Sequence, residues 1–163
     1  MQSELHFSSE GAASGFGDAI ALDYAVNLVS QPRDVDERRT IILVEDEDSL
    51  REIISERLRR EGYEVYGAAS AIDARALLAK HRSQRMILLT DLVLPGVGGW
   101  FLARSARETI PDLPIIFMSG CIDEATISSG LARGNTAYLQ KPFQWNQLRD
   151  TLEMVMGDRD MLT

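Results

Sequence analysis

Short apolar runs alternate with helix-forming stretches five times between residues 40 and 156, and no other feature limits the fold as strongly. Thr40-Ile41-Ile42-Leu43-Val44 shows no polar alternation, the pattern of a strand covered on both faces. Residues 63–67, 86–90, 114–118 and 136–139 read as further short strands. The first helix is expected to open with Ser49 and Glu52 as a capping box, to carry Leu50, Ile53, Ile54 and Leu58 at helical spacing, and to stop at Gly62. A second is expected over 70–82, with Ile72, Ala76 and Leu77, and a third over 99–110 after a loop through Leu94-Pro95-Gly96-Val97-Gly98. A weaker helix over 123–133 and a last one over 144–156, with Leu148, Leu152 and Val155 on one face, complete the series. Strands separated by helices must run parallel and be joined by crossovers, which makes a doubly wound five-stranded α/β sheet.

Residues 1–39 are expected to form an N-terminal extension outside this pattern. Ser8, Ser9, Gly11, Ser14 and Gly15 favour flexibility. Residues 18–29 fit either a helix or a strand, and their alanines favour the helix. A charged linker opened by Pro32 leads to residue 40. The folded domain is expected over 40–157 and a short tail over 158–163, with no output domain following. Net charge is −8, which argues against direct nucleic-acid binding, since a phosphate backbone needs a positive surface. The single cysteine, Cys121, excludes an internal disulfide and a Cys-rich zinc site. No apolar run approaches the roughly 20 residues of a membrane span, and no secretory signal opens the chain, so the expected compartment is the cytoplasm.

In doubly wound sheets, ligands sit beyond the carboxyl ends of the strands. There the sequence places Glu45 and Asp46, Asp91, Ser119 followed by Gly120, and Lys141 followed by Pro142. Strand two ends in Gly67 and Ala68 and contributes nothing evident. Three carboxylates in one crevice repel by a few kcal/mol per pair at an effective dielectric of about 20. Such a site needs a cation or a proton, and an all-oxygen ligand set suits a partly hydrated Mg²⁺. Lys141, one of only two lysines, adds an ammonium, and Ser119 adds a hydroxyl. That set fits a phosphoryl group on one carboxylate, with the aspartate as nucleophile. Glu47 and Asp48 read as helix-start acids, one of them capping the helix. His6 and His81 lack metal-ligand spacing and are expected at the surface, so neither is an evident phosphodonor.

Taken together, Leu43-Val44-Glu45-Asp46, Asp91 with Leu94-Pro95-Gly96, Ser119-Gly120 and Lys141-Pro142-Phe143, with gaps of 45, 28 and 22 residues from Asp46 through Asp91 and Ser119 to Lys141, resemble the receiver domain of two-component response regulators. The resemblance covers about residues 40–156. It implies a flavodoxin-like sheet in order 2-1-3-4-5 and Asp91 as acceptor of a phosphoryl group from a sensor histidine kinase or phosphotransfer protein. It further implies Asp46 as a direct Mg²⁺ ligand, Glu45 as a ligand through water, the backbone carbonyl of Val93 as another, and a cis bond before Pro142. Ser119 and Lys141 would hold the phosphoryl group, and Ser119 with Tyr138 would form the switch. Output would pass to a downstream protein partner, with a second copy of the chain another candidate partner. Trp145 opens the last helix, on the expected output face, and is either an exposed contact residue for a partner or a packed one. The alternative within signalling is a detached receiver or phosphorelay module of a hybrid histidine kinase. A small aspartyl-phosphate phosphatase is disfavoured, because such enzymes commonly carry a second acid two residues after the nucleophile, where Val93 stands.

Overall fold

Apolar side chains on both faces of a strand require cover on both sides, and described helices pack against both faces of the sheet. The structure, a computed structural model, describes residues 39–82, 85–121 and 135–160. They form β1 (Thr40–Val44), α1 (Asp48–Arg60), β2 (Glu64–Ala68), α2 (Ala71–His81), β3 (Met86–Asp91), α3 (Gly99–Thr109), β4 (Ile115–Ser119), β5 (Thr136–Gln140) and α4 (Trp145–Asp160). The strands make one parallel sheet in the order β2-β1-β3-β4-β5, as expected. The helices expected over 18–29 and 123–133, the linker before residue 39, and His6 lie outside the described residues.

Two core layers sandwich the sheet. Ile42, Val44, Leu88, Ile115 and Phe117 pack beneath α2 and α3. Ile41, Leu43, Ile87, Leu89, Ile116 and Met118 pack beneath α1 and α4, against Ile54, Leu58, Leu148 and Leu152. Alternate residues of each strand serve opposite layers, which is the period-two geometry of a strand. β2 is an edge strand, and α1 covers part of that edge, with Arg59 Nη2 donating to the Val65 carbonyl at 2.8 Å.

Several local expectations shift. The N-cap of α1 is Glu47, not Ser49, and its side chain makes no capping bond, so Ser49 and Glu52 form no box. A side-chain cap stands instead at α2, where Ser70 Oγ accepts from Asp73 N–H at 3.2 Å and also donates to Asp73 Oδ2 at 2.7 Å. Gly62 ends α1 with φ of 94°, a left-handed stop. The buried face of α2 is Ala71, Ala74 and Leu78, while Ile72 is 74% exposed. Ile53 of α1 likewise faces solvent. His81 is buried, contrary to expectation, because the end of α2 lays its ring on Tyr66 with 4.0 Å between centroids. Helix α4 continues to Asp160, past the expected end at Met156.

The loop after β3 is closed at its base. Leu92 N–H extends the sheet by donating to the Met118 carbonyl at 2.8 Å, and Gly99 N–H returns to the Leu92 carbonyl at 3.1 Å. A Cβ on Gly99 would lie 2.0 Å from the Asp91 carbonyl oxygen, so only glycine lets α3 start this close to the strand end. Gly99→Ala is therefore predicted to destabilise the fold by about 1–3 kcal/mol in urea unfolding. A wild-type midpoint in that variant would show that the approach is not constrained.

Candidate functional site

The carboxyl ends of β1, β3, β4 and β5 carry the site. Glu45 follows β1 with its side chain buried, and its carboxylate is held at both oxygens. Glu47 N–H donates to Oε1 at 3.3 Å, and Lys141 Nζ donates to Oε2 at 2.6 Å. Asp91 closes β3, with Val93 N–H on Oδ1 at 2.9 Å and Lys141 Nζ on Oδ2 at 2.6 Å. One ammonium thus bridges two carboxylates. Lys141 is delivered there by the ladder beyond β5, where its N–H donates to the Ser119 carbonyl at 2.7 Å, and the Lys141–Pro142 bond is cis.

Asp46 joins Glu45 and Asp91, and carboxylate oxygens of the three all lie within 4.8 Å of one another. Two direct Mg²⁺ ligands at ~2.1 Å are at most about 4.2 Å apart. The trio lies at the scale of one cation site, and its all-oxygen donor chemistry would suit Mg²⁺. Burial works against the Lys141 ammonium, but hydrogen bonds and charge from Asp91 and Glu45 outweigh it and hold its pKa above the usual lysine value.

Ser119 stands at the tip of β4, buried, but its hydroxyl is turned onto its own loop. It donates to the Cys121 carbonyl at 2.8 Å and accepts from Cys121 N–H at 3.2 Å. Tyr138 stacks on Phe117 with centroids 5.4 Å apart, and burial raises its pKa against the opposing charge of Arg107. Val93 is exposed on the loop after Asp91. Trp145 is half-buried on α1, under Arg57 and donating to Glu61, rather than standing free for a partner.

Sequence reasoning missed two contributors. Gly99 reads only as the start of a helix, although its missing side chain is what lets α3 begin against the Asp91 carbonyl. Arg51 Nη1 donates to the Glu45 carbonyl at 2.7 Å. Its one sequence signal is a cation in the first turn of a helix, where the helix dipole disfavours it.

The family described as response regulator receiver domain matches residues 41–153. The sensor kinase CckA of Brucella abortus is 33% identical over 132 residues, covering 81% of this chain and 14% of that protein. The transcriptional regulatory protein AfsQ1 of Streptomyces coelicolor is 33% identical over 123 residues, covering 74% of this chain and 53% of that protein. The chain thus spans at most about half the length of these two relatives. Among solved structures, the receiver domain of a hybrid histidine kinase CckA aligns with a TM-score of 0.61 at 27% identity, over 72% of this chain and 98% of that one. The chemotaxis protein CheY4 of Vibrio cholerae aligns with a TM-score of 0.64 at 29% identity, over 72% and 98%. A match that runs from β1 into α4, on a sheet of the same strand order, makes this chain a member of the response regulator receiver domain family, the signalling modules of two-component systems.

Proposed function

We propose that the chain is a cytoplasmic phosphorylation switch in which Asp91 accepts a phosphoryl group from a phosphohistidine on a sensor kinase or phosphotransfer protein, with Mg²⁺ as cofactor. The observation that carries this reading is the Lys141 ammonium 2.6 Å from both Asp91 and Glu45, with Asp46 in the same cluster. Glu45, Asp46, Asp91 and the Val93 carbonyl would hold Mg²⁺, which when bound offsets charge on the transferring phosphoryl oxygens. An Asp91 carboxylate oxygen attacks phosphorus as the bond to the donor nitrogen breaks, and that electron pair leaves with the imidazole. Val93 N–H and Lys141 orient the carboxylate for this attack. Lys141 then turns from neutralising a carboxylate to neutralising the phosphoryl group.

The Ser119 hydroxyl must leave the Cys121 carbonyl to reach that group, and its departure opens space beside β5 for the Tyr138 ring. Phosphorylation thereby biases a two-state surface, read by a downstream protein. The chain acts on no substrate other than itself. Similarity to the sensor kinase CckA favours a second reading within the same chemistry, a receiver or phosphorelay module of a hybrid kinase.

Incubation with acetyl phosphate tests the assignment. Wild type should gain one phosphoryl mass with Mg²⁺ and none without, and Asp91→Asn should gain none; equal labelling of the variant would refute it. Asp46→Asn removes one of three clustered negative charges. It should raise metal-free stability by roughly 1 kcal/mol while abolishing the stabilisation by Mg²⁺ seen in wild type. Unchanged Mg²⁺ stabilisation in that variant would remove Asp46 from the ligand set. The Lys141 pairing has a pH signature. With the folded pKa raised, its stabilisation is complete below the usual lysine value and fades only as pH rises through the higher folded value. The stability gap between wild type and Lys141→Met in metal-free buffer should stay flat from about pH 7 to 9 and narrow only in stronger alkali. A gap that closes below about pH 9 would contradict the pairing.

A further inference from the structure

We infer that Arg51 is a positioning residue for the cation site, acting through the peptide that joins Glu45 to Asp46, and that Gly67 of the neighbouring strand makes room for it. This rests on the Mg²⁺ reading given above.

Every polar group of Glu45 is held. Its N–H donates to the Ala68 carbonyl at 3.1 Å, and its carboxylate takes Glu47 N–H and Lys141. Its carbonyl takes Arg51 Nη1 at 2.7 Å. That carbonyl belongs to the peptide plane from which Asp46 departs, so fixing it limits where the Asp46 carboxylate can lie. The second arm of the guanidinium pairs with Asp48, which ties the first turn of α1 to the same point. The Arg51 stem crosses β2 at Gly67, where a Cβ would stand 3.2 Å from Arg51 Cδ and 3.4 Å from Cγ. Strand two, which offers no ligand, contributes by leaving that space open.

Charge alone argues the other way, and this sets a decisive sign. A cation beside three carboxylates competes with a divalent ion, and a cation in the first turn of a helix opposes the dipole. If Arg51 acted only as a charge, its removal would tighten Mg²⁺ binding. If it orients the peptide, removal weakens binding.

Calorimetric Mg²⁺ titration of the full chain, with amide resonances of the metal-free protein, separates the two. Arg51→Met should raise the Mg²⁺ Kd about tenfold, the scale for residues that orient metal ligands. It should shift the Asp46 and Glu47 amides, and labelling by acetyl phosphate should recover at saturating Mg²⁺. Arg51→Lys should fall between. Gly67→Val keeps the charge but displaces the stem, and a β-branched residue suits a strand; it too should weaken binding and move the same amides. A folded Arg51→Met that binds Mg²⁺ as tightly as wild type or tighter overturns the role. If Arg51→Met does not fold, Gly67→Val decides, and an unchanged Kd there overturns it. A wild type that binds no Mg²⁺ fails the underlying reading, is seen before any variant is compared, and takes this role with it.

Discussion

The shared ammonium of Lys141 is the interaction on which the site depends. Glu45 is almost fully buried and Asp91 half-buried, and an unpaired carboxylate in either place would be expensive to desolvate. One lysine satisfies both, yet a third carboxylate, Asp46, stands within the same few ångströms. The cluster therefore remains net negative. That residual charge would favour a hard cation, and the acids proposed to carry the chemistry are the ones that repel one another in the metal-free fold.

The sheet makes this arrangement possible. Parallel strands end at the same rim, so residues 96 positions apart, such as Glu45 and Lys141, become neighbours without a dedicated scaffold. Hydrogen bonds beyond the strand ends aim the site: Leu92 onto Met118, Lys141 onto Ser119, and Glu45 onto Ala68. Close approach does the rest. Gly99 lets α3 begin against the Asp91 carbonyl. The same rim links the site to Ser119 and, through the paired β4 and β5, to Tyr138 beside Phe117.

Much of this was legible in the chain. β1 and β3 are apolar at nearly every position because both faces are covered, and the point where such a run ends locates the polar residue at the rim. Glu45, Asp46, Asp91, Ser119 and Lys141 could be placed together on that ground. The buried helix faces were less legible. Ala71 and Ala74 form the inner face of α2 while Ile72 points outward, because close packing against a sheet favours small residues that hydropathy barely marks. At α1 the acid expected at the helix start, Glu47, does hold the N-cap position, but the Ser49–Glu52 box was misplaced because Asp48 and Ser49 already lie inside the helix. His81, Gly99 and Arg51 owe their roles to residues distant in sequence or on another element, and no local pattern reveals such contacts.

The central claim is that this rim has one acceptor atom group, the Asp91 carboxylate. Borohydride reduction of the protein labelled with acetyl phosphate and Mg²⁺, followed by peptide mass spectrometry, reads that directly, because reduction of an aspartyl phosphate leaves homoserine at the modified position. The account predicts homoserine at residue 91 alone. Reduction at Asp46 or another carboxylate, with Asp91 intact, would contradict it.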